Sequence, residues 1–120
     1  MATNDRCCTI VPYFNIHSGK IQQFKALCEQ FVEKTKTEPG CLYYGWSFDG
    51  DQAHCREGYR DADATIAHIQ NVAELLAELV KTAEVARFEL HGPEVELDKL
   101  RGAFADLKPQ YFKLEYGFRR

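Results

Sequence analysis

Few side chains in this sequence combine reactive chemistry with a spacing that would let them use it, and His68 comes first. It lies four residues after Ala64 and four before Val72, on the apolar stripe of a helical pattern, so it points into the protein. Imidazole titrates near neutral pH and serves as a general acid or base. The structural alternative is a core histidine satisfied by a carboxylate or the backbone. Glu57 falls on the same side of an alternating segment as Cys55 and Tyr59. A buried carboxylate needs a partner. Glu57 could orient His68, as carboxylates do in catalytic constellations, or pair structurally with Arg60 or Lys113. Tyr43, Tyr44, Trp46 and Tyr59 are placed to line an aromatic, substrate-binding pocket for a flat ligand, or else to form core or interface. Arg56 and His54 share the opposite face. Arg56 could stabilise an oxyanion, or make a surface ion pair. Arg87 and His91 on a later segment stand in the same position.

Other chemistries find little support. The histidines at 17, 54, 68 and 91 fall on four different elements, with no H-x3-H or C-x2-C pair, so no metal site is expected. No glycine-rich phosphate loop or nucleotide fingerprint is present, so no cofactor is expected either. The five cysteines (7, 8, 28, 41 and 55) are odd in number, and adjacent Cys7 and Cys8 suit a disulfide poorly. With a short polar start from Met1 to Arg6 and no export signal, they read as reduced thiols of a cytoplasmic protein. Fifteen Lys and Arg against 18 Asp and Glu give a net charge of −3. That mild acidity argues against nucleic acid and against a polybasic membrane surface. No apolar run is long enough for a membrane span.

The elements that must position these groups are legible. At 120 residues, 1–120 reads as one domain with a real core. Residues 9–16, rich in β-branched and aromatic types, predict a strand, with Pro12 facing away from a partner or at a bulge. Ser18 is the expected N-cap of a helix over about 20–36, whose stripe is Ile21, Phe24, Leu27, Cys28, Phe31 and Val32. Glu38-Pro39-Gly40 stops it. Strands over 41–48 and 53–60 join through an Asp49-Gly50 turn. Asp61 caps a second helix reaching about residue 81. A strand over 84–91, a short amphipathic helix and an alternating strand over 110–119 complete the chain. The order β-α-β-β-α-β is the split βαβ, ferredoxin-like arrangement. Two helices cover one sheet face. The other, carrying aromatics beside Arg and His, is expected to meet a second copy in a homodimer that encloses a cavity.

Three stretches in order resemble one known family. Residues 12–31 run from the first strand through His17-Ser18-Gly19-Lys20 into a helix with Phe24. Glu38-Pro39-Gly40-Cys41-Leu42-Tyr43-Tyr44 is similar to an E-P-G-C-x-x-Y turn. Glu57-Gly58-Tyr59-Arg60-Asp61, with Ala64 and His68, is similar to an E-x-Y-x-D-x-x-A-x-x-x-H run. Over about residues 9–92 the chain thus resembles the antibiotic biosynthesis monooxygenase domain. The resemblance implies an α+β fold, a dimeric α+β barrel on the ferredoxin-like unit.

Members of that family include cofactor-independent monooxygenases of phenols and quinols, haem-degrading oxygenases and isomerases of small molecules. Haem degraders carry an Asn on the first strand, a Trp at the end of the third and a His well inside the second helix. Here Asn15 is available as a substrate-binding residue, but Tyr59 occupies the Trp position and the His position falls near Ala73, so haem is not expected. The reading that follows is a monooxygenase acting on a small aromatic substrate. His68 with Glu57 would remove a phenolic proton, and the resulting anion would react directly with O2. The alternatives are an isomerase of a small carbonyl compound and a non-catalytic binding protein.

Overall fold

The computed structural model describes residues 3–120. Its elements are β1 (Cys8–Ile16), α1 (Ile21–Thr35), β2 (Cys41–Asp49), β3 (Gln52–Tyr59), α2 (Ala62–Leu79), β4 (Ala83–Gly92), α3 (Glu94–Ala103), a 3-10 turn (Ala105–Leu107) and β5 (Gln110–Lys113). The sheet order is β2-β3-β1-β4-β5, antiparallel except for the β4–β5 pair. This is the ferredoxin-like α+β fold, with β5 added beside β4.

Each strand alternates, so the helices cover one set of side chains. From β1 these are Cys8, Ile10, Pro12, Phe14 and Ile16. The stripe of α1 seats Phe24, Leu27, Cys28 and Phe31 against them. Two apolar clusters result. One joins Phe14, Phe24, Phe31, Val72 and Leu79. The other joins Ile10, Tyr59, Leu90, Leu97, Leu100 and Phe104. Asp61 caps α2 as expected: its carboxylate accepts from the Ala64 N–H at 2.9 Å. Gly50, at φ +60°, supplies the turn between β2 and β3.

Several local expectations are revised. Lys20, not Ser18, occupies the N-cap of α1, two residues later and after a turn at Gly19 (φ 78°); its side chain has no acceptor and makes no cap. Pairing of β1 with β3 lapses between Ile10 and Tyr13, where Pro12 has no N–H to give. A register shift between β1 and β4 near Tyr13 makes Ala86 an extra residue, which brings Val85 and Phe88 to the helix-covered face. β5 ends at Lys113, not near 119. After Leu114 N–H donates to Gly92 O, the tail leaves the sheet and Glu115 O accepts from the Thr3 N–H. Tyr116 and Phe118 therefore alternate without a second layer to bury them.

The face away from the helices carries two stacked pairs, Tyr13 on His54 and His91 on Phe112, with ring centroids 4.4 and 4.7 Å apart. Arg56 lies over the Tyr43 ring, and Glu89 bridges Arg87 and His91. No helix of the described residues is long and apolar enough to cross a membrane.

Candidate active site

α2 enters the sheet-covered interior with His68 on its inner side, and β3 presents Glu57 to it. Both side chains are at most 5% exposed. His68 Nε2 lies 3.4 Å from Glu57 Oε1. The Tyr59 hydroxyl donates to the same oxygen at 2.6 Å. On the other side of the ring, Nδ1 meets both oxygens of Glu38, at 2.9 and 3.1 Å. Glu38 is itself held by the Asn71 side-chain amide at 2.8 Å. The rings of Tyr59 and Tyr44 pack on the imidazole, with centroids 4.8 and 5.6 Å away. Glu38 is thus hydrogen-bonded to one side of the ring, and the Tyr59-bonded Glu57 stands in contact with the other.

Burial sets the protonation states. Loss of solvent pushes the Glu57 carboxyl up to about 7, against the hydrogen bond from Tyr59, while the negative Glu38 adds to the rise. The same burial pulls His68 below its ordinary value, with Glu38 opposing. The ring is therefore neutral at neutral pH, and its Nδ1–H donates to the Glu38 carboxylate. Its Nε2 lone pair then faces Glu57. A carboxyl that is half protonated near pH 7 is suited to take a proton and to give it back. Burial drives Tyr44, Tyr59 and Cys55 far up, so none of them is an anion under ordinary conditions.

Glu57 and His68 stand in the wall of an apolar cavity at the seam between the two core clusters, lined also by Pro12, Phe14, Tyr44 and Trp46. Its volume, about 40 Å³, suits water rather than a ring. A larger recess of about 200 Å³ adjoins it and shares Phe14, Leu76, Phe88 and Leu107. Leu107, on the 3-10 turn, is the most exposed member of that shared wall.

The sequence-selected residues divide between the two sheet faces. His68, Glu57, Tyr44, Trp46 and Tyr59 come together on the inner face. Tyr43, Arg56 and Asn15 do not. Tyr43 and Arg56 stack on the outer face. Asn15 bonds Glu84 and Gln52 at the solvent-exposed end of β1. Neither Arg60 nor Lys113 pairs with Glu57; they bond Asp61 and the carboxylates of Glu94 and Glu115. Sequence reasoning missed Glu38 and Asn71. Glu38 looks only like a helix stop until the Pro39-Gly40 turn is docked on α2, where Gly40 abuts Ala64.

The family model of the antibiotic biosynthesis monooxygenases matches residues 8–73, more than half of the chain. The chain belongs to this family. The matched segment ends just after the histidine and holds Glu38, Glu57, Tyr59 and His68. Among solved structures, MupZ from Pseudomonas fluorescens is 51% identical, with a TM-score of 0.94 over 100% of this chain and 94% of its own. That likeness extends through α3, β5 and the tail, beyond the family model. A conserved protein from Methanosarcina mazei Go1 (22% identity, TM-score 0.64, 72% of this chain and 89% of that one) shares the fold. So does an antibiotic biosynthesis monooxygenase at 20% identity, with a TM-score of 0.61 over 69% of this chain and 92% of that one. No curated protein matches. Within the family fold, the β1-α1-β2-β3-α2 unit holds Glu38, Glu57, Tyr59 and His68, and the elements after it close one side of the cavity.

Proposed function

We propose that this family member is an enzyme that works by proton transfer at Glu57 and His68, acting as a cofactor-independent monooxygenase on a small phenol- or quinol-type substrate. The observation that carries this reading is the contact of a neutral imidazole with a buried carboxyl of raised pKa in the wall of an apolar cavity. Glu57 takes the phenolic proton, directly or through His68. The electron-rich anion then reacts with O2 in a site whose Tyr44 and Trp46 offer aromatic surface. A second copy of the chain on the outer sheet face belongs to this reading. It would cover the stacked His54 and His91 rings and the arginines beside them.

Oxygen uptake and product formation with a panel of phenols and quinols test the proposal. Wild type should consume O2, and His68→Ala and Glu57→Gln should lose at least about a hundredfold in rate, as removal of a general base does. Undiminished turnover in both variants overturns it. One observation favours a second reading. Glu57 near half protonation can return a proton as readily as remove it, which is what isomerisation of a small carbonyl compound requires. Product formed without O2 selects that reading.

A further inference from the structure

The acid–base chain has two ends, and only one of them faces the substrate cavity. Glu57 and His68 line the inner cavity. Glu38 instead lines a separate cleft of about 220 Å³ outside the α1–β2 turn, together with Thr35, Lys36, Cys41 and Leu42. The imidazole stands between the two, with Nε2 toward Glu57 and Nδ1 toward Glu38. Thr35, in the wall of this cleft, is only 2% exposed, and its Oγ1 is buried without a hydrogen-bond partner among the described residues.

We infer that Glu38 is the proton port of the site: Glu57 exchanges its proton with bulk water through His68 and Glu38 by way of this cleft, independently of the substrate cavity. The inference rests on the acid–base reading of Glu57 and adds a residue to it. Of the other groups around Glu57, Tyr59 and Cys55 from β3 are fully buried. Tyr44 from β2 lines both the cavity and the cleft, but burial drives its phenol far up, so it does not ionise to carry the proton. Around Glu38 stand His68 and Asn71 from α2, Cys41 from β2 and, bonded to the Asn71 carbonyl, Lys34 from α1.

The transfer balances as one proton. The Glu57 carboxyl gives its proton to Nε2, Nδ1–H passes to the Glu38 carboxylate, and Glu38 releases it to water in the cleft. Glu57 is left ionised beside an Nε2–H tautomer, and reprotonation runs the same steps backward. No redox partner is involved. The arrangement lets Glu57 be reset while a substrate fills the cavity.

The test uses the full chain and no substrate. A rapid pH jump from below to above the Glu57 midpoint of about 7 is followed by infrared absorption of the Glu57 carboxyl, identified by its loss in Glu57→Gln. In Glu38→Gln the relaxation should slow by about a hundredfold, the low end of general acid–base contributions. Added imidazole should speed it again in proportion to concentration. Lys36→Trp, which covers the cleft from its exposed rim, should slow it without touching the chain. Leu107→Trp, at the cavity side, should not. Wild-type relaxation in both Glu38→Gln and Lys36→Trp overturns the port, as does slowing by Leu107→Trp with Lys36→Trp unaffected. Such a failure leaves the acid–base reading standing, since that reading falls only if His68→Ala and Glu57→Gln both retain undiminished turnover.

Discussion

Replacing Glu57 with Gln should make the protein more stable at alkaline pH and leave it little changed in acid. The carboxyl rises from an ordinary 4.5 to about 7 on folding, so the native state holds a proton that the unfolded chain has lost. A raised value contributes stability that is full below the unfolded pKa and is lost as pH climbs through the folded one. Between those points wild type should lose about 1.4 kcal/mol per pH, or about 3 kcal/mol in all. Glutamine has the same shape and no charge to bury. The gap between variant and wild type should therefore widen from about pH 5 to about pH 7 and then level off. A part of it, about 1 kcal/mol, is returned through a weaker bond to Tyr59. His68, whose value is lowered, acts with the opposite sign: it costs stability as pH falls below its unfolded value. It is present in both proteins and largely cancels in the difference. Urea unfolding of both proteins at closely spaced pH values measures that difference. A gap that stays constant across the range would refute the argument that burial of the Glu57 carboxylate governs the site.

Gly40→Ala should cost about 1–3 kcal/mol by overpacking, because its new Cβ would sit 2.5 Å from the Ala64 Cβ on α2, which has no flexible end to yield; thermal unfolding measures it, and a neutral substitution contradicts the docking of the turn that carries Glu38. Glu96, 1% exposed, accepts from the Ala62 N–H at 2.9 Å and from Arg6 at 2.6 Å. Glu96→Ala should cost about 1–3 kcal/mol by stranding a buried donor at the start of α2, and an unchanged urea midpoint counts against that role.

How far the sequence foretold the site follows from the range of each interaction. The inward course of His68 comes from spacing of four within one helix, and the side of Glu57 from alternation within one strand; both are local periodicities, and the structure brings the two side chains into contact. The stripe of α1 is legible for the same reason. Glu38 was not, since its bonds to His68 and Asn71 span some thirty residues and depend on how a turn docks. The faces of Tyr43 and Arg56 followed from alternation, yet alternation alone does not say which face holds a cavity. The shift at Ala86 and the early end of β5 depend on partner strands, and no pattern within the segment records them.

Trp46 is the chain's single tryptophan. It is boxed by Phe14, Phe24 and Phe31, with ring centroids 5.6–5.7 Å away, and its indole N–H is buried without an acceptor among the described residues. Buried indoles usually find one. Fluorescence excited in the indole band therefore comes from one known spot in the wall of the cavity. Its emission moves to the red when an oxygen of an entering molecule meets the N–H. The protein thus carries a built-in optical gauge of cavity occupancy, readable in unlabelled solution.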